Sequence, residues 1–189
     1  MIIYQSTRKD FLEDCERHAI ETLIENAYME RTGRYVSPGE YRAWQNSLTR
    51  MADVLYDDAL PEDMGVGIEF GIPQTSKRID FLLSGEGKDG ESKLIIIELK
   101  QWSTSRISEK DGVIVAQRGG HAEREGAHPC YQAWSYASLL ENFNEAIHEH
   151  GVGLKPCAYL HNYQRDGVID APPLRGVDRT RAAVPAWPQ

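Results

Sequence analysis

One stretch constrains the fold of this chain more than any other: Lys93-Leu94-Ile95-Ile96-Ile97-Glu98-Leu99-Lys100-Gln101-Trp102. Its apolar run reads as a buried strand, yet its far end carries two charges. Side chains alternate across a strand, so Glu98 and Lys100 leave one face while Ile97 and Leu99 leave the other. Charges at the end of a buried strand are costly unless they are paired or hold a metal.

The neighbouring segments supply a partner. Residues 77–83, Lys77 to Leu83, read as a second strand, and the polar loop from Ser84 to Ser92 turns the chain back. A turn centred near Asp89 sets Asp80 opposite Glu98, and cross-strand neighbours have Cβ atoms about 4.5–5.5 Å apart. Both carboxylates then reach one point. Residues 66–72 alternate apolar and other positions, as a half-buried strand does, and Pro73 ends them.

Helices flank these strands. Residues 7–30 are predicted as one amphipathic helix, with Thr7 as N-cap, Phe11, Leu12, Cys15, Ala19, Leu23 and Ala27 as its apolar positions, and Gly33 at its end. Ser37-Pro38-Gly39-Glu40 opens another, Ser37 as N-cap and Glu40 as the reciprocal partner of a capping box. Tyr41, Trp44, Leu48, Met51 and Leu55 form its stripe to about Asp57. A short strand is expected at 112–117, a helix from about Pro129 to His150, and a last strand at 154–160. Pro156 suits an edge or the first residues of that strand. The chain is read as one domain over 1–163 with a linker-like tail over 164–189, where Pro172, Pro173, Pro185 and Pro188 interrupt any hydrophobic period.

A net charge of −8 argues against a uniformly basic surface. The acid is uneven: residues 1–65 hold 7 Lys/Arg against 13 Asp/Glu, whereas residues 74–124 hold 9 against 8, and a near-neutral segment can still present a basic strip. No apolar run approaches the roughly 18 residues of a bilayer span, and no signal pattern is visible; a cytoplasmic protein without membrane contact is expected. Cys15, Cys130 and Cys157 lack metal or disulfide spacing and read as small buried hydrophobes. The absence of a phosphate-binding Gly-rich loop excludes an ATPase on this chain.

The order helix, three strands, helix, strand, with Asp80 on the second strand and Glu98-x-Lys100 closing the third, resembles the PD-(D/E)XK nuclease superfamily. Ile79 stands where that pattern often has proline. Gln132-Ala133-Trp134-Ser135-Tyr136 is similar to the Gln-x-x-x-Tyr motif of the RecB-like branch, and residues four apart on a helix share a face. The match covers about residues 37–162. Ile72 to Phe81, Ile97 to Trp102, His128-Pro129 and Ala158 to Asn162 further resemble the N-terminal nuclease-like region of bacterial DNA/RNA helicase-type ATPases, although the tail does not read as the start of a motor domain.

The resemblance implies an α/β fold: a mixed central β-sheet flanked by helices, a restriction-endonuclease-like αβββαβ core with an extra N-terminal helix. It also implies a Mg²⁺-dependent nuclease on DNA or RNA, with Mn²⁺ as substitute and a helicase-type ATPase domain or subunit as partner. Mg²⁺ takes one or two carboxylates plus water and substrate oxygens. Asp80, Glu98 and the Leu99 backbone carbonyl are then the metal ligands and Lys100 the catalytic lysine, with Gln132 and Tyr136 orienting Lys100 or touching phosphate. An extra acid comes from Glu40 or Glu69, Glu40 being equally explained as a cap.

For nucleic-acid contact the candidates are Lys77 and Arg78 on phosphates, Trp102 as a stacking platform, and His128 on phosphate. Each has a plain structural alternative: strand-end charge, core aromatic, helix-start histidine. Two other functions compete. One is an inactive nuclease-fold module for binding or docking. The other, a glycosidase, is disfavoured because Lys100 beside Glu98 is expected to hold that carboxylate ionised.

Overall fold

The computed structural model describes residues 1–117 and 123–169. Five strands form a mixed sheet, β1 (Ile2–Thr7), β2 (Gly65–Gly71), β3 (Arg78–Glu86), β4 (Ser92–Lys100) and, last in the chain, β8 (Gly153–Leu160), in the spatial order β1-β2-β3-β4-β8. Neighbours among the first four are antiparallel and β8 is parallel to β4. Helices α1 (Arg8–Glu16), α2 (Ile20–Thr32) and α3 (Pro38–Leu55) precede β2, while α4 (Pro129–Phe143) and α5 (Glu145–Glu149) precede β8. The chain is therefore an α/β protein with a mixed central sheet flanked by helices.

The turn between β3 and β4 sets the register of the centre. Gly90 takes a φ of 77°, and the Gly90 N–H donates to the Gly87 carbonyl at 2.9 Å. Phe81 then pairs Ile97 and Leu82 pairs Ile96, as a turn about Asp89 requires. Side-chain alternation follows from that register. Phe81, Leu83 and Ile97 join Phe11, Ile24, Trp44, Leu48 and Met51 in the core beneath α1–α3. Leu82 and Ile96 pack with Tyr136, Ala137 and Leu140 of α4 on the opposite side. Phe11 and Phe81 meet edge to face at 5.5 Å, a geometry that adds about 0.5–1.5 kcal/mol beyond area burial.

Four elements differ from expectation. The single helix over 7–30 is two: Thr7 does cap α1 through Asp10 N, but His18 turns to a φ of 53° and α2 starts afresh at Ile20. The break re-phases the stripe, so Ile20 and Ile24 are buried and Leu23 is exposed. Helix 129–150 breaks at Asn144. The N-terminal residues form β1 on the edge of the sheet. The strand expected at 112–117 is present as β6 (Val113–Gln117), flanked by β5 (Ser105–Ile107) and β7 (Glu123–Ala127) in a small second sheet.

Other expectations hold. Gly33, at a φ of 66°, closes α2, Ser37 caps α3, and Pro156 lies on the edge strand β8. The three cysteines, expected as small buried residues, are only partly buried. Val168 and Ile169 pack against the Trp102 cluster, so these two residues of the tail expected from 164 join the domain instead; residues 170–189 lie outside those described. No described helix is long and apolar enough to cross a membrane.

Candidate active site

The site forms where the β3–β4 ladder stops. Phe81↔Ile97 is the last registered pair, and one residue beyond it Asp80 and Glu98 face each other. There the Asp80 carboxylate replaces a backbone partner: its Oδ2 accepts the Leu99 N–H at 2.9 Å. The N–H and C=O of one strand residue point to the same side, so the Leu99 carbonyl is directed at the same edge of β4.

Glu98 is buried, and two donors converge on its Oε1. They are the Lys100 ammonium and the Gln132 amide, the latter at 2.7 Å. The same Gln132 nitrogen also donates to the Tyr136 hydroxyl at 2.7 Å, placing the two residues on one face of α4. Glu98 Oε2 is buried and accepts no hydrogen bond. The Asp80 and Glu98 carboxyls lie within hydrogen-bonding reach of each other.

Burial and then the adjacent Asp80 push the Glu98 carboxyl up to about 8, against the opposing pull of Lys100. Asp80 is raised too, chiefly by burial, with Leu99 N–H and Lys100 opposing. This corrects the expectation that Lys100 holds Glu98 ionised: a flexible ammonium on one oxygen does not offset loss of water plus a second carboxylate. The glycosidase reading fails on distance instead. Its two carboxyls stand about 5–5.5 Å or more apart, whereas these two lie within hydrogen-bonding reach of each other. Burial raises the Tyr136 hydroxyl to about 12, so it acts as a neutral group.

A second constellation borders the first. The Arg78 guanidinium pairs with both Glu69 and Glu40. Glu69 is buried, its Oε1 takes the Trp44 indole N–H at 2.7 Å, and its backbone φ is 58°. That left-handed residue reverses the strand's alternation: Ile68 lies in the α1–α3 core, whereas Phe70 packs on the α4 side. Simple alternation about Glu69 therefore does not hold. Burial is the main cause that lifts its carboxyl to about 7. Glu40 is at the first turn of α3, where its backbone N–H donates to Ser37 Oγ at 3.2 Å while its side chain turns to Arg78. The reciprocal half of the capping box is thus replaced by an ion pair.

Both constellations line one open cleft of about 340 Å³ between α3 and α4. Gln101 fixes its floor to α3, its amide donating to the Ala43 carbonyl at 3.0 Å and Ser47 Oγ at 3.2 Å. Sequence reading missed Gln101 and Trp44 as positioning residues; the signal for Gln101 was its place directly after the charged strand end.

Two candidates for nucleic-acid contact fall elsewhere. Trp102 is buried against Ile114 and Ala116 of the small sheet, with Lys100 Nζ 5.8 Å from its ring, so no face is offered to a base. His128 is buried, its Nδ1 capping α4 through Cys130 N at 3.3 Å and its Nε2 beside the Ile169 carbonyl. Both take the structural role. Lys77 is exposed, whereas Arg78, next to it in the chain, is engaged by two carboxylates.

Among the described residues no three His, Cys, Asp or Glu side chains converge into a metal cage. The donors that do come together are hard oxygens, those of the Asp80 and Glu98 carboxyls, with Glu98 Oε2 left without a hydrogen-bond partner. That set fits a divalent cation that keeps water and substrate ligands. No family model, curated protein or solved structure matches the chain.

Proposed function

We propose that this α/β domain is a metal-dependent phosphodiesterase of the PD-(D/E)XK nuclease class, cutting DNA or RNA with Mg²⁺, and with Mn²⁺ as substitute. The observation that carries the reading is the paired Asp80 and Glu98 at the fork of β3 and β4, with Lys100 and Gln132 on Glu98 and one buried carboxylate oxygen left without a donor. A buried Glu98 carboxyl and a part-buried Asp80 carboxyl destabilise each other when both ionise; a divalent cation held by both would remove that penalty.

Hydrolysis adds water across one P–O ester bond: the attacking oxygen loses a proton and the departing oxygen gains one. A bound cation polarises the phosphate and lowers the pKa of water. Asp80, Glu98 and the Leu99 carbonyl would hold it. Lys100, partly exposed and tethered to Glu98, is placed to orient the attacking water or neutralise charge growing on the phosphate. Gln132 fixes the Glu98 carboxylate and is itself fixed by Tyr136. Lys77 meets the backbone of the nucleic acid.

The test is cleavage of single- and double-stranded DNA and RNA with Mg²⁺ or Mn²⁺. Cleavage is expected for the native chain and lost in Asp80→Asn, Glu98→Gln and Lys100→Met, each with an unchanged circular dichroism spectrum. A chain that cuts none of these substrates under either ion is not a nuclease.

One observation favours a second reading, an inactive module for nucleic-acid binding or docking in a helicase-type assembly. Lys100 pairs internally with Glu98, so the site is partly neutralised without a metal. Calorimetric titration separates the two, since nucleic-acid binding with no carboxylate-dependent Mn²⁺ site would support the module.

A further inference from the structure

The cleft holds four carboxylates, Glu40, Glu69, Asp80 and Glu98, and two cationic side chains, Lys100 and Arg78. They do not mix evenly. Asp80 and Glu98 share Lys100 through a single Glu98 oxygen, whereas Glu40 and Glu69 are bridged by two different nitrogens of one guanidinium, Nη2 and Nε. Each pair has one buried oxygen without a hydrogen-bond partner, Glu98 Oε2 and Glu69 Oε2, but Glu69 Oε2 lies in an ion pair with Arg78 Nε, and the other Glu69 oxygen takes the Trp44 indole N–H.

We propose that Arg78 is a built-in cation that fills the Glu40–Glu69 half of the cleft, so that the site loads one divalent ion at Asp80 and Glu98 and excludes a second beside it. The inference rests on the metal-dependent reading above. Three features of the molecule support it.

First, Arg78 leaves β3 two residues before Asp80, at the pair Gly71↔Arg78 of the β2–β3 ladder, so its backbone is fixed by the sheet. Second, an arginine stays charged at any working pH and spans two carboxylates with its planar fork, which a lysine cannot do in the same geometry. Third, Glu69 is held in a left-handed backbone conformation at a φ of 58°. Such strain costs of order 1–3 kcal/mol and persists only where surroundings over-determine it. It aims a buried carboxylate at Arg78 and Trp44 rather than along the regular face of β2.

Ion counting by calorimetry and by Mn²⁺ paramagnetic resonance tests this without any turnover. The native chain is expected to bind one Mn²⁺, lost in Asp80→Asn. Arg78→Gln is expected to bind two, the second disappearing in Arg78→Gln/Glu69→Gln. Two ions on the native chain, or one on a folded Arg78→Gln chain, overturn the assignment while leaving the metal-dependent reading intact. No ion on the native chain overturns that reading itself and this inference with it. Should Arg78→Gln not fold, Glu69→Gln alone decides: an unchanged single site fits a carboxylate engaged by Arg78, and loss of that site makes Glu69 a metal ligand and overturns the assignment.

Discussion

Gln132 and Glu98 come from elements separated by the whole second sheet, yet the Gln132 amide lies 2.7 Å from Glu98 Oε1. Helix α4 thereby locks the orientation of a carboxylate on β4. Substituting Gln132 by Leu should leave the fold intact and lower cleavage about 10–100-fold, the usual loss when a group orienting a metal ligand is removed. Tyr136→Phe loses only a hydroxyl and should destabilise by about 0.5–1.5 kcal/mol. Steady-state cleavage and urea melts check the pair.

Stability of the metal-free protein should fall as pH rises. Glu98 is raised to about 8 and Glu69 to about 7, so the folded chain holds protons that the unfolded chain has released. Their contribution is complete below the unfolded carboxylate range and is lost as pH climbs through 7 and 8. Each tenfold change in proton affinity is about 1.4 kcal/mol, so the melting temperature should drop clearly between pH 5 and pH 8.5. Adding Mn²⁺ at pH 8 should recover it. A melting temperature flat across that interval would contradict the burial of these carboxyls.

Arg8 offers a test of the scaffold away from the site. It is buried, and its guanidinium donates to the carbonyls of Leu55 at 2.6 Å, Asp57 at 2.9 Å and Leu60 at 3.0 Å, closing the C-terminal end of α3. Arg8→Leu leaves those acceptors unmet and removes a cation from a helix C-terminus. A loss of about 2–4 kcal/mol is expected, read by chemical denaturation.

Phe81→Ala should cost about 3–5 kcal/mol, because the ring is fully buried and packs on Phe11. Since Phe81 is also the last registered residue before Asp80, the variant should weaken Mn²⁺ binding along with stability.

The strands β3 and β4 were legible because a run such as Leu94 to Ile97 and a turn about Asp89 are local signals. The α3 N-terminus was legible for the same reason, through Ser37 and Pro38. His18 carries no glycine or proline to announce its left-handed turn, and apolar residues continue on both sides of it, so one helix was read where two exist. β1 depends on pairing with β2 about sixty residues away, which no short window contains. Within the site, the closeness of Asp80 to Glu98 followed from counting about one turn, and Gln132 beside Tyr136 from helical spacing. The joint hold of Arg78 on Glu40 and Glu69 did not, because it needs α3, β2 and β3 assembled.

Pro156 has a consequence at the other border of the sheet. It sits on β8, opposite Ile96 of β4, with no strand beyond it among the described residues. Proline offers no N–H to an incoming strand, and Lys155 beside it is exposed. That border is capped against lateral growth, so two copies of this chain should not merge their sheets through β8 even at high concentration.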